Sequence, residues 1–131
     1  MRYPLDELID KKSIIRLKID RTETEFSEKK RWIDEIVDYS LSIGAYIGEG
    51  ICTEEQIKNW YVSLYEVNGR IWDLEAEIRQ GKEKIFGLEE VGRRALLIRD
   101  INSERVKIKT EIVEKTGIGY KNIKVNHASD N

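Results

Sequence analysis

Residues 53–78, TEEQIKNWYVSLYEVNGRIWDLEAEI, decide the fold because they have the pattern of one long amphipathic helix. Thr53 and Gln56 have the spacing of a capping box, in which each side chain satisfies a free backbone amide. Apolar residues then recur in steps of three and four, as a heptad row does. The pattern predicts a helix from about residue 53 to residue 79, and a helix this long needs an equally long partner. The row consists of Ile57, Trp60, Leu64, Val67, Ile71, Leu74 and Ile78.

Two helices are predicted upstream of this stretch. The first covers about residues 5–21, with apolar residues along one side. The second starts at Thr22 or Thr24, where Thr22 and Glu25 have capping spacing, and continues to about Ile43. The two segments fit equally well as one long bent helix. Gly44, Gly48 and Gly50 are then expected in an interhelical loop, and they lack the Gly-Lys-Ser/Thr ending of a phosphate-binding P-loop.

A last helix is predicted from about Leu88 to about Lys115. Its apolar row is interrupted in the middle by Asn102, Arg105 and Lys109, which is the most unusual feature of the sequence. After it, residues 120–126 are expected to form a short strand or an arm, and residues 127–131 to fray. The whole tail, residues 120–131, is expected to be flexible.

Composition supports one all-α domain over residues 1–131, an elongated helical bundle. The chain is 37% charged, contains a single proline and has a net charge of -2. These values exclude a collagen and a disulfide scaffold, and the periodic apolar residues disfavour disorder. The near balance of charge gives no reason to expect nucleic-acid binding.

The cysteine and histidine content and the apolar runs of the sequence indicate where the protein is located and whether it binds a metal or a cofactor. The single cysteine, Cys52, cannot form an intrachain disulfide and is expected to be a small buried hydrophobe. The acidic N-terminus has no apolar signal core, and no apolar run approaches a membrane span of about 20 residues. We therefore expect a cytoplasmic protein that contacts no membrane. The only histidine is His127, and without a cluster of metal ligands we expect no metal and no cofactor.

Polar residues form rows beside the apolar rows. The central helix carries Tyr61, Tyr65, Asn68, Trp72, Glu75 and Arg79 at helical spacing. The first helix adds Asp10, Lys11 and Lys18, and the last helix adds its three polar residues. Two interpretations remain open. Internal pairing, such as Glu75 with Arg105 and Asp10 with Lys109, would fix the helix register. Alternatively, the excess of cations binds an anionic ligand, with Trp72 or Tyr65 stacking on a base.

Three segments carry a resemblance: residues 7–18 (ELIDKKSIIRLK), 68–79 (NGRIWDLEAEIR) and 102–113 (NSERVKIKTEIV). They resemble, in the same order, the motifs ELxDKLxILxxK, NxxLWxIEDxIR and NxxRxxxKxxIN of a family of small bacterial proteins, domain of unknown function 6165. Lys12 and Ala76 depart from these motifs, and residues 23–52 match none. The resemblance implies a site and no particular activity. It carries over Asp10, Lys11, Lys18, Asn68, Trp72, Glu75, Arg79, Asn102, Arg105 and Lys109.

The sequence therefore favours non-enzymatic binding, or sequestration, of a phosphorylated or nucleotide-like small molecule between helices. Such a ligand should be released chemically intact when the protein is heat-denatured. The alternative is a coiled-coil interaction module without a ligand, and a Mg²⁺-dependent nucleotide hydrolase is the weakest of the three. The continuous heptad row predicts a homo-oligomer, most simply a dimer. The expected ligand-binding residues are Lys11, Lys18, Tyr65, Asn68, Trp72, Glu75, Arg79, Asn102, Arg105 and Lys109.

Overall fold

The computed structural model describes residues 3–118, without the side chains of residues 81–86. Four α-helices follow one another: α1 (Leu5–Arg21), α2 (Phe26–Gly48), α3 (Glu54–Glu77) and α4 (Glu83–Thr116). A π-helical turn, Ile78–Lys82, joins α3 to α4. The described chain contains no strand, so the predicted all-α bundle is confirmed. The predicted C-terminal strand or arm lies outside the described residues.

The capping residues explain where α3 begins. The Thr53 hydroxyl accepts a hydrogen bond from the backbone N–H of Gln56 at 3.1 Å. The side-chain oxygen of Gln56 accepts one from the backbone N–H of Thr53 at 2.9 Å. This is the predicted capping box. The equivalent spacing at Thr22 forms no such box: Thr22 is extended, and α2 starts after Glu25 without a side-chain cap. The first two helices are therefore separate.

The glycines before α3 do not form the predicted loop. Gly44 and Gly48 lie inside α2, and the chain turns only after them, where Gly50 has a φ of 78°. Glycine lowers helix stability without forbidding the helix, so the backbone hydrogen bonds continue through the first two positions. The left-handed conformation at Gly50 is what ends the segment, because residues with a Cβ adopt it at a cost.

The start of α4 contains a second break. Gly87 has φ 79° and ψ 169° inside the segment, so regular helix continues from Leu88, the residue predicted to begin it. The joint between α3 and α4 therefore consists of a π-helical turn followed by one glycine. Its geometry sets which level of α4 faces which level of α3.

The core forms around α1, which packs against each of the other three helices. Leu5, Leu8 and Ile9 are almost completely buried and cluster with Leu64 of α3 and Ile112 of α4. The heptad row of α3 thus finds its long partners within the same chain, and the half of it up to Val67 is buried. Within residues 3–118, no helix is long and apolar enough to span a bilayer.

Candidate functional site

A buried carboxylate, Asp10 of α1, is the centre of the polar interior. Its side chain is 2% exposed. It accepts hydrogen bonds from Asn68 Nδ2 at 2.9 Å, from Arg105 Nε at 3.0 Å and from Arg105 Nη2. The Asn68 amide also donates to Ser13 Oγ at 2.9 Å, and that hydroxyl donates to the Asp10 carbonyl. We call Asp10, Ser13, Asn68, Arg105 and Lys109 the Asp10 network.

Lys109 lies at the edge of this network, on the same side of α4 as Arg105. Its Nζ is 3.0 Å from Glu7 Oε2 and 3.8 Å from Asp10 Oδ2. Two cations from α4 are thus matched by two carboxylates from α1. With Glu7 counted beside the network, the charges between α1 and α4 sum to zero.

Burial by itself would raise the pKa of Asp10, because a dry surrounding disfavours its charged form. The hydrogen bonds from Arg105 and Asn68 outweigh burial and hold that pKa below the ordinary value. The Asp10 hydrogen bonds in turn raise the pKa of Arg105. Asp10 is therefore a fixed anion and Arg105 a fixed cation, which suits a structural pair and makes Asp10 a poor general base.

A second buried acid in α1, Asp6, has fewer hydrogen-bond partners than Asp10. Asp6 is 7% exposed, and its Oδ1 has no hydrogen-bond partner among the described residues. Burial raises the pKa of this carboxyl, with only partial compensation from Lys109. One helix therefore holds a fully paired carboxylate and, four residues earlier, an incompletely paired one.

A cleft of about 560 Å³ opens beside the Asp10 network, between α1, α3 and α4. Binding sites for small molecules commonly have volumes of about 300–1,000 Å³. Apolar side chains and the Trp72 ring form most of the wall, and five polar residues line the remainder. Arg105 lines the cleft while two of its nitrogens contact Asp10. The lining consists of Ile14, Leu17, Asn68, Ile71, Trp72, Glu75, Ala95, Ile98, Arg99, Asn102 and Arg105.

The polar groups of the cleft have unused hydrogen-bonding capacity. Within the described part of the chain, the Glu75 carboxylate has no hydrogen-bond or ion-pair partner. Asn102 Oδ1 accepts a 3.3 Å hydrogen bond from Arg105 Nη1, which leaves the amide hydrogens of Asn102 available. Arg99 is exposed, and its only described ionic contact is with the adjacent Asp100 at 3.8 Å. The cleft thus offers a carboxylate, amide donors and one weakly neutralised guanidinium.

Six of the ten expected site residues come together here. Five line the cleft, namely Asn68, Trp72, Glu75, Asn102 and Arg105, and the sixth, Lys109, belongs to the adjoining network. They come from the second and third motif segments, and the first motif segment meets them through Asp10. The expected pairing of Asp10 with Lys109 is present only at 3.8 Å, and Arg105 pairs with Asp10 instead of Glu75.

The other four lie elsewhere. Lys11 and Lys18 face aromatic rings, with Nζ 5.6 Å from the Tyr3 ring centre and 6.0 Å from that of Trp32. The Tyr65 hydroxyl donates to Asp20, and the ring lines a smaller pocket on another side of α3. Arg79 is exposed in the π-helical turn. The five expected cations are therefore distributed over several surfaces.

Sequence reasoning missed two contributors. Arg99 lies three residues before Asn102, so helical spacing alone places it on the same side of α4. Ser13 follows Asp10 by three residues, and its hydroxyl bonds back to the preceding turn. Both could have been found by extending each polar row by one turn.

Comparisons with known proteins add no further information about the site. No protein-family model, no curated protein and no solved structure matches this chain. Among the described residues, no three acidic, histidine or cysteine side chains are grouped so that they could hold a metal ion.

Proposed function

We propose that the protein binds a small, nucleotide-like ligand in the cleft between α1, α3 and α4, without transforming it. One observation carries the proposal: Trp72, Glu75 and Asn102 converge on a cleft of suitable volume while retaining unused surface or hydrogen-bonding groups. A flat heterocycle fits against the Trp72 ring. The Glu75 carboxylate is suited to accept from an exocyclic amine, and Asn102 to donate to a ring or sugar oxygen.

The local charge limits how anionic the ligand is. Arg105 and Lys109 are matched by Asp10 and Glu7, so Arg99 supplies most of the positive charge that remains. One guanidinium, assisted by the outward Nη1 of Arg105, suits a single phosphate group or a carboxylate. The proposal is therefore a nucleoside monophosphate or a molecule of similar charge, in preference to a polyphosphate.

Binding is favoured over hydrolysis by the state of the acids. A hydrolase positions a water molecule and a base against the scissile bond, usually with a metal ion. Asp10 is held ionised and enclosed by donors, which leaves it no room to accept a proton from water. Glu75 is the remaining acid of the cleft, and we assign it to ligand recognition.

The test is calorimetric titration of the full chain with AMP and with adenosine. Arg99→Ala should weaken AMP binding by about 5- to 20-fold, corresponding to about 1–2 kcal/mol, and leave adenosine binding nearly unchanged. Arg93→Ala is the matched control, because this exposed arginine of α4 pairs locally with Glu90 and does not line the cleft. Arg105 is unsuitable for this test, since its loss would leave Asp10 unpaired.

Two outcomes would reject the proposal. One is the absence of a nucleotide both in titrations at millimolar concentration and in extracts of the heat-denatured, freshly purified protein. The other is hydrolysis of the nucleotide during incubation with Mg²⁺, for AMP into adenosine and inorganic phosphate, which would identify an enzyme. Recovery of an intact ligand in a one-to-one ratio supports a binding protein.

A further inference from the structure

The outer face of α2 is an apolar surface without a partner in the described chain. Its inner face packs on α1 through Ile43 and Tyr46. The opposite side exposes Phe26 by 75%, Ile33 by 44%, Val37 by 50% and Leu41 by 69%. These residues share one side of the helix, because their spacings are seven, four and four residues. The helix is therefore apolar on two faces, and only one of them is used within the chain.

Two glycines extend the exposed row toward the end of α2. Gly44 and Gly48 lie on the same side as Phe26 and Val37. A Cβ built at either position would meet no atom within 4 Å among the described residues. Glycine inside a helix is unfavourable relative to alanine, and neither position has a positive φ. Nothing in the described fold requires glycine at these two positions. The close approach of a second helix would require it.

The residues of the exposed α2 row are spaced symmetrically about Val37, and this spacing fits a second copy of α2. Counting from Val37, Ile33 lies four residues before and Leu41 four after. Lys30 and Gly44 lie seven residues on either side, and Phe26 and Gly48 lie eleven. An antiparallel copy of the same helix, centred on Val37, thus opposes Phe26 and Lys30 with glycines of the other chain, and Ile33 with Leu41.

We propose that α2 pairs antiparallel with α2 of a second copy of this chain, with both Val37 side chains at the two-fold axis. Phe26 then packs over Gly48 of the partner subunit, and the Lys30 stem crosses Gly44 of the partner subunit. This is the self-complementary arrangement that a two-fold dimer requires. The dimer is independent of the cleft, which is formed by α1, α3 and α4.

The distribution of charge supports the antiparallel orientation. Lys29, Lys30 and Arg31 lie near the start of α2, where Lys30 pairs with Asp34 and Arg31 with Glu28, while residues 39–48 carry no charge. Lys30 is the cation of the exposed row, and antiparallel pairing places it over the negative end of the partner's helix dipole. Parallel pairing would place Lys30 over its own copy.

The exposed apolar area on α2 is also large enough for a dimer interface. The four exposed side chains present on the order of 400 Å² of apolar surface per chain, in the range typical of functional patches. Together with the lysine stems and the glycine backbone, two copies reach the roughly 1,000 Å² that a biological interface needs. The α3 heptad row, from which an oligomer was expected, is buried within the chain up to Val67, so that part does not supply this surface.

Light scattering behind a sizing column tests the assembly. The full chain, of 15.4 kDa, should elute at about twice that mass at micromolar concentration. Val37→Glu places two like charges at the axis and should yield the monomer mass with unchanged helical content. Val62→Glu is the matched control, because Val62 is 53% exposed on α3, and this variant should remain dimeric.

Oxidative cross-linking tests the orientation. A mixture of Phe26→Cys and Gly48→Cys chains should form a disulfide-linked dimer, while either variant alone should form much less. Wild type is the control, because Cys52 is 5% exposed and should not cross-link. Efficient cross-linking of Phe26→Cys with itself would show a parallel pair and overturn the proposal. A monomeric wild type, or a dimer lost in Val62→Glu and kept in Val37→Glu, would overturn it equally.

Discussion

The Asp10 network and the cleft are neighbours formed by the same three helices, yet they use polar residues in opposite ways. In the network, donors and acceptors are matched, with Asp10 held by Asn68 and Arg105. In the cleft, Glu75 is unpaired in the described chain and Trp72 is half-buried against an open volume. Matched charges join α1 to α4, while the groups beside them keep unused hydrogen-bonding capacity, and we propose that these groups bind a ligand. If this proposal is correct, internal pairing and ligand binding apply to two different parts of one bundle.

The largest expected effect is in the network. Arg105→Met should lower the free energy of unfolding by about 3–5 kcal/mol, because it leaves the buried Asp10 carboxylate with only Asn68 and the 3.8 Å contact to Lys109. Urea unfolding followed by circular dichroism measures the change. Arg93→Met removes an exposed ion pair on the same helix and should cost less than about 1 kcal/mol. Equal losses in the two variants would contradict the role assigned to Asp10.

Asn68→Ala should have the next largest effect. It removes the donor shared by Asp10 and Ser13, and the expected loss is about 1–3 kcal/mol in the free energy of unfolding. Asn59→Ala, at an exposed position of the same helix, is the control and should change stability by less than about 0.5 kcal/mol. If both variants unfold at the same urea concentration, Asn68 is not part of a stabilising network.

The third prediction concerns pH and the incompletely paired acid. Burial raises the pKa of Asp6 above 3.8, so its ionisation at neutral pH costs folding free energy. Asp6→Asn should therefore stabilise the protein by about 1 kcal/mol at pH 7, the order of one unmade hydrogen bond. The gain should be absent below pH 3.8 and grow as pH rises through the raised pKa. Asp10→Asn should be destabilising at pH 7, because the pKa of Asp10 is lowered. A gain for Asp6→Asn that is constant from pH 3 to pH 7 would contradict this assignment.

The smallest effect on stability is expected in the cleft. Glu75→Gln should change the free energy of unfolding by less than about 0.5 kcal/mol, because the carboxylate has no described partner to lose. The same variant should alter AMP binding, whereas Glu66→Gln, exposed on α3 outside the cleft, should alter neither property. A large loss of stability in Glu75→Gln would show that the two regions are not distinct.

Much of the fold could be predicted because its determinants are local. The Thr53–Gln56 capping box and the apolar row of α3 depend on residues within one helix. The break at Thr22 and the passage of α2 through Gly44 could not be read from the sequence, since propensity differences there are small. The packing of Ile43 and Tyr46 on α1, on either side of Gly44, favours a continuous α2 and is not visible in a local pattern.

The site could be predicted only in part, for a geometric reason. Helical spacing places Arg105 on a polar row of α4, but the level at which that row meets α1 and α3 depends on the joint between α3 and α4. That joint includes a π-helical turn and Gly87, which no periodicity reveals. For this reason Arg105 was expected to pair with Glu75, whereas in the structure it pairs with Asp10. Lys11 follows Asp10 by about 100° around α1 and therefore faces another surface.

We expect the pairing of Asp10 with Arg105 to influence the order in which the helices dock during synthesis of the chain. The two residues are 95 positions apart, so α1 is made long before its guanidinium partner exists. At about 5–20 residues per second, the Asp10 carboxylate waits on the order of 5–20 s after its own synthesis. Until then, burial of α1 would leave the Asp10 carboxylate without Arg105 in a dry surrounding, which costs free energy, so the nascent helix is more stable in contact with water. Although α1 is translated before α2, α3 and α4, we expect it to be the last of these four helices to dock, when residues near the end of α4 leave the ribosome.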